Sequence, residues 1–139
     1  HAVQAAMSRF VKAVDWTGFD PAGISRYVAI CDGSGAVLDH IEPFGLADER
    51  RVFLWLLNMA PGSGKQATVK RTVLTVDYQG WRQDTYGPPG GGTAKPALAV
   101  EFWDTYTGGK IGTIKAENWR ILLPDFEKDL AVVVYIKER

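Results

Sequence analysis

The chain has 139 residues, 46% hydrophobic and 23% charged, which fits one globular domain with a core of ordinary size. Sixteen basic residues balance sixteen acidic ones, so bulk electrostatics disfavour nucleic-acid binding and no long-range repulsion holds copies apart. No apolar run reaches the roughly 18 residues that span a bilayer, and the single cysteine, Cys31, excludes an intrachain disulfide or a site of several thiolates.

The start at His1 rather than Met is expected of a processed or trimmed product, and no signal peptide is evident. Val3, Ala6, Met7, Phe10, Val11 and Val14 then repeat at the spacing of one helical face, with Gly18 as a stop. That spacing predicts an amphipathic helix whose stripe docks on a sheet. Ile24 to Cys31 reads as a strand, Asp32-Gly33-Ser34-Gly35 as a turn, and Ala36 to Ile41 as the returning strand of a hairpin. Cys31 is expected to be a small buried hydrophobe. Pro43 ends this hairpin or marks an edge.

Arg51 to Met59 fits a buried strand or a short helix, and strand is preferred. Its simplest continuation is a hairpin through Pro61-Gly62-Ser63-Gly64 into the β-rich stretch Thr68 to Tyr78. Gln83 to Pro96 holds three prolines and four glycines and reads as a long loop. Ala97 to Thr105 and Lys110 to Lys115 form a second hairpin about Thr107-Gly108-Gly109. Glu117 to Leu123 is expected to be a short helix stopped by Pro124, and Leu130 to Lys137 a closing strand. The expected fold is α+β, with the N-terminal helix packed on a largely antiparallel sheet of about six to seven strands, in one domain spanning 1–139.

Charge is placed unevenly. Asp32, Asp39, Glu42, Asp48 and Glu49 form an acidic block without Lys or Arg. Arg50, Arg51, Lys65, Lys70, Arg71 and Arg82 follow against Asp77 alone. The blocks can neutralise each other within the fold or meet between copies. Asp84-Thr85-Tyr86 recurs 20 residues later as Asp104-Thr105-Tyr106, too short an echo for a repeat architecture.

Few patterns carry catalytic chemistry. Gly62-Ser63-Gly64-Lys65 lacks the first Gly and the Ser or Thr after Lys65 that a phosphate-binding loop needs, so a turn explains it better. His1 and His40, the only histidines, resemble the copper brace of the copper-dependent polysaccharide monooxygenases. That resemblance implies a copper enzyme, a remote alternative here, because those enzymes commonly carry disulfides. His40 is the one internal base of its type, so no Ser-His-Asp or Cys-His set is favoured. No cofactor or metal is expected, and an enzyme is the weaker expectation.

The aromatic residues carry more information. Trp81, Tyr86, Trp103, Tyr106 and Trp119 lie near Gly-rich segments, with Arg82 and Lys110 beside them. Rings so placed stack on bases or anchor a protein interface. The leading expectation is a non-catalytic interaction or assembly subunit using the rim of Trp81, Arg82, Tyr86, Trp103, Tyr106 and Lys110. The alternative is a single-stranded nucleic-acid binder that adds a basic strand, Lys65, Lys70 and Arg71. Gly109-Lys110-Ile111-Gly112 before Glu117-Asn118-Trp119 also resembles the strand-to-helix corner of small sheet proteins that bind single strands.

Overall fold

The structure of the protein, a computed structural model, describes residues 22–59, 69–87, 97–105 and 107–137. Strand formation starts from the β-branched and apolar runs, whose side chains alternate between two faces. The strands are β1 (Ala22–Gly23), β2 (Val28–Cys31), β3 (Ile41–Ala47), β4 (Arg51–Asn58), β5 (Val73–Val76), β6 (Ala97–Trp103), β7 (Lys110–Ala116), β8 (Arg120–Leu122) and β9 (Asp129–Lys137). They build two antiparallel sheets, a six-stranded one ordered β1-β3-β4-β9-β6-β7 and a three-stranded one ordered β2-β5-β8. Strand β9 is central, paired on one side with β4 and on the other with β6.

One face of the large sheet carries Val52, Leu54, Leu56, Leu98, Val100, Phe102, Leu130, Val132 and Val134. These side chains meet Ile30, Leu74, Val76 and Ile121 of the small sheet in one continuous buried core. On the opposite face, Trp103, Ala131 and Val133 form a second buried cluster, flanked by Phe53 and Tyr135.

The architecture corrects the α+β expectation: the described residues are mostly β, in two sheets rather than one. The predicted helix Val3 to Val14 lies outside the described residues. Among the described residues the one α-helix is α1 (Tyr78–Tyr86), and it occupies the end of the expected Thr68–Tyr78 strand and the start of the expected Gln83–Pro96 loop. Its cause is local. The Asp77 carboxylate caps the first turn by accepting the Gly80 N–H at 3.0 Å, and Tyr78 and Trp81, three apart, bury one face. Gly87 stops the helix at φ +90°, where a side chain would be strained.

Smaller expectations are corrected in the same way. Ser25–Tyr27 is a 3-10 turn, and the return after Asp32 shortens to one bridge between Cys31 and Val37 before the chain crosses to the other sheet. The Asp32 carboxylate organises that turn, accepting from Ser34 N–H, Ser34 O–H and Ala36 N–H, and those bonds, that from the Ser34 hydroxyl foremost, hold its pKa below the usual value. Cys31 is only half-buried. Strands β4 and β5 sit in different sheets, so no hairpin joins them. The segment expected as a helix at Glu117–Leu123 is a bend, in which the Asn118 carboxamide accepts the Arg120 N–H at 3.1 Å, followed by β8. Asn competes with helical bonding in this way.

The expected strand at Arg51–Met59, the second hairpin and the closing strand are all present. Both edges of the large sheet resist strand addition. Pro43 removes a donor from β3, which β1 covers only at Leu46 and Ala47. On β7 the pairing with β6 slips where Phe102 faces Gly112 and Trp103 faces Lys110, and Lys110 and Lys115 stand exposed.

Candidate functional site

The structure disperses the predicted aromatic rim. Trp81 is fully buried, and its indole N–H donates to the Gly23 carbonyl at 2.9 Å. Tyr86 is half-exposed with its ring edge-on to Trp81, 5.6 Å between centroids. Arg82 reaches Glu49 at 3.8 Å. Trp103 is buried on the outer face of the large sheet under Lys110, whose Nζ lies 5.4 Å from the ring centroid and 2.7 Å from Glu101. Trp119 stacks on Tyr78 at 4.6 Å. Of these rings Trp81 and Trp103 are buried, Trp119 is half-buried and Tyr86 is exposed.

Lys70 and Arg71 are exposed but lie in a bend, not on a strand, and Arg71 has a left-handed φ of +53°. Tyr106 and Lys65 lie outside the described residues, as do His1 and the Gly62–Lys65 turn. His40 is half-buried just before β3. Among the described residues no group of three or more His, Cys, Asp and Glu gathers as for a metal ion. The echo at Asp84 and Asp104 is not structural, since Asp84 is helical and Asp104 belongs to the turn between β6 and β7. The acidic and basic blocks do meet inside the fold, through Asp48–Arg51 at 3.7 Å and Glu49–Arg82 at 3.8 Å.

The aromatic cluster on α1 has a measurable electrostatic consequence. Burial pushes the Tyr78 hydroxyl up to about 12, with Glu49 adding to the shift and Arg82 opposing it. The unfolded chain ionises this group near 10. Between those values the unfolded state binds fewer protons, so Tyr78 contributes stability that is fully present below pH 10 and falls as pH rises towards 12. Urea melts at pH 9 and pH 11.5 should show that fall in the wild type and a shallower one in Tyr78→Phe. Equal slopes in both proteins would remove Tyr78 as the cause.

A concave apolar surface lies elsewhere among the described residues, on the outer face of the large sheet at β3 and β4. The antiparallel register sets Phe44 opposite Trp55 and Leu46 opposite Phe53, with Leu57 opposite Glu42. Phe44, Leu46, Phe53, Trp55 and Leu57, with Gly23, Ser25 and Gly45, line a groove of about 500 Å³. Phe44 is 51% exposed and Leu46 43%.

The groove's lining is mostly apolar. Ser25 Oγ already accepts the Gly45 N–H at 2.8 Å, and the Gly23 carbonyl already takes Trp81. Trp55 is buried at the floor, and its indole N–H has no hydrogen-bond partner among the described residues. Such a volume is within the range of ligand pockets, and no ionisable side chain lines it. Among the described lining residues the polar groups are the Ser25 hydroxyl and the Trp55 indole N–H, and the rest of the surface is apolar.

Sequence reasoning missed this surface. Phe44 and Leu46 alternate with Pro43 and Gly45 in a segment that reads as the end of a hairpin. Only the pairing of β3 with β4 places them against Phe53 and Trp55. The alternation at Phe44-Gly45-Leu46, read as a strand through Pro43, was the available signal. In a comparison with known proteins, no family model and no curated relative matches the chain.

Proposed function

We propose that the chain is a non-catalytic interaction subunit that joins a protein assembly through the β3–β4 groove. The observation that carries this reading is the contiguous row of exposed and half-exposed apolar side chains at Phe44, Leu46, Phe53 and Leu57. Singly exposed apolar residues are ordinary, but these four line one concave surface. Burying such surface contributes about 25 cal/mol per Å², and an aromatic anchor near the centre of a contact supplies a large share of affinity. The reading keeps the expected class of function and moves its surface away from Trp81 and Trp103.

The test is the size of the tagged chain in extracts of the cells it comes from. The wild type should elute above the mass of one chain. Phe44→Asp and Leu46→Asp should each abolish that shift. Leu122→Asp, at a 70% exposed site on the small sheet, should leave it intact. A wild type that elutes as a free monomer rejects the reading.

A further inference from the structure

We propose that α1 sets the place of one wall of the β3–β4 groove, and that Tyr27 and Asp84, which do not line the groove, are positioning residues for binding there; this inference rests on the interaction reading above. Gly23 and Ser25 make that wall. Both belong to the short strap Ala22–Tyr27, which holds β1 and the 3-10 turn. Strand β1 is the edge of the large sheet and pairs with β3 at two residues, Ala22 with Ala47 and Gly23 with Leu46. Pairing that short is marginal by itself, so the wall takes its place from its other attachments.

Those attachments go to two elements. Towards β3, the Ile24 N–H donates to the Gly45 carbonyl at 3.0 Å, and the Gly45 N–H donates to Ser25 Oγ at 2.8 Å. Towards α1, the Gly23 carbonyl accepts the Trp81 indole N–H at 2.9 Å. The Tyr27 carbonyl accepts the N–H of Asp77, the capping residue of α1, at 2.8 Å. The Tyr27 hydroxyl donates to the Asp84 carboxylate of α1 and accepts from Arg26 Nη2 at 2.8 Å. The Arg26 guanidinium also lies 5.0 Å from the centroid of the Tyr27 ring.

Gly23 and Tyr27 thus tie the strap to α1 at both ends, and Ile24 and Ser25 between them meet Gly45. A displacement of α1 is carried to the groove through this strap. Trp81 is the buried tie, and its loss would confuse positioning with folding. The Tyr27–Asp84 pair is the exposed tie, so its removal leaves the fold standing.

Amide hydrogen exchange on the purified chain tests the coupling. The Gly45 N–H reports the wall, because its acceptor is Ser25, and the Val132 N–H in the central strand β9 reports opening of the whole fold. Tyr27→Phe and Asp84→Leu should each speed Gly45 exchange about three- to tenfold, the net worth of one hydrogen bond. The double variant Tyr27→Phe/Asp84→Leu should be no faster than the singles, because both remove the same bond. Asp84→Asn should keep Gly45 slow, because its carboxamide oxygen accepts the same hydroxyl. Thr105→Val removes a hydrogen bond to Asp129 on the β6 side of the sheet, and it should speed Val132 without speeding Gly45. Circular dichroism melts verify that each variant is folded. In extracts, Tyr27→Phe and Asp84→Leu should weaken the complex several-fold, and Asp84→Asn should retain it.

Gly45 exchange that neither Tyr27→Phe nor Asp84→Leu moves overturns the inference. So does Gly45 exchange that Thr105→Val speeds as much as Val132, because the wall then opens only with the whole fold. An extract complex that depends on Phe44 but is indifferent to Tyr27→Phe also overturns it, and leaves the interaction reading standing. A wild type without an extract complex removes that reading and the positioning role with it.

Discussion

Replacing Trp81 by alanine is expected to destabilise the fold by roughly 3–5 kcal/mol, a large part of the total stability of a domain this size. The indole is fully buried. It touches Tyr78, 5.4 Å between centroids, and carries Tyr86 against its face. Its N–H satisfies the Gly23 carbonyl in β1, so one side chain fixes α1 to the edge of the large sheet. Truncation leaves a cavity and an unsatisfied acceptor together, and the two costs add. Trp81→Phe separates them, since it keeps most of the ring and drops the hydrogen bond, for an expected cost of about 1–3 kcal/mol. Urea unfolding followed by far-ultraviolet circular dichroism measures both. A loss under about 1 kcal/mol in Trp81→Ala would show that the helix is not anchored this way. The same experiment bears on stacking, because a residue that served a bound base would lose affinity and keep stability.

Gly45→Val is expected to be the second severe change, for the opposite reason. A Cβ at Gly45 would lie 2.5 Å from Leu54 Cδ2 and 2.7 Å from Ile24 Cγ2. Both neighbours are fully buried, so neither has room to withdraw. The close approach is held by two backbone bonds: Gly45 N–H donates to Ser25 Oγ at 2.8 Å, and the Ile24 N–H donates to the Gly45 carbonyl at 3.0 Å. Gly45→Ala alone should cost about 1–3 kcal/mol by overpacking, and valine more. Trimming the opposing side chain supplies the internal check. In a double-mutant cycle, Gly45→Ala with Ile24→Ala should be less destabilising than the sum of the singles. Strict additivity would mean that the clash is relieved by backbone movement instead.

The core strands were legible because their signal is local. Val52 to Leu57 and Val132 to Ile136 are apolar runs that strands of a two-layer protein require, and Thr107-Gly108-Gly109 supplies the turn between β6 and β7. Division into two sheets was not legible, because β4 and β5 carry the same kind of residue and only long-range pairing assigns them to different layers. Helix α1 was hidden by its surroundings. Its apolar face is just Tyr78 and Trp81, and the polar Gln79, Arg82, Gln83 and Asp84 blend into the Pro- and Gly-rich segment beyond. The capping Asp77 was visible but looked like the end of a strand.

The burial of Trp81 and Trp103 was not legible for a related reason. Composition counts rings and their neighbours, but a Trp beside an Arg reads the same whether the ring faces solvent or, as at Trp81, the core. The groove was invisible because each of its strands contributes every second residue, and the register that brings Phe44 to Trp55 is a tertiary fact.

The position of β9 bears on how the chain is made. The β3–β4 hairpin and the β6–β7 hairpin share no pairing with each other; β9 lies between them and follows every other described strand in the sequence. Until Asp129–Lys137 has left the ribosome, the large sheet exists at most as two separate hairpins. Each then presents an open inner strand, β4 or β6, whose apolar rows have no cover. Vectorial folding of the large sheet from β1 onward is therefore closed to this topology, and the nascent chain carries the open edges of β4 and β6 until β9 has followed them.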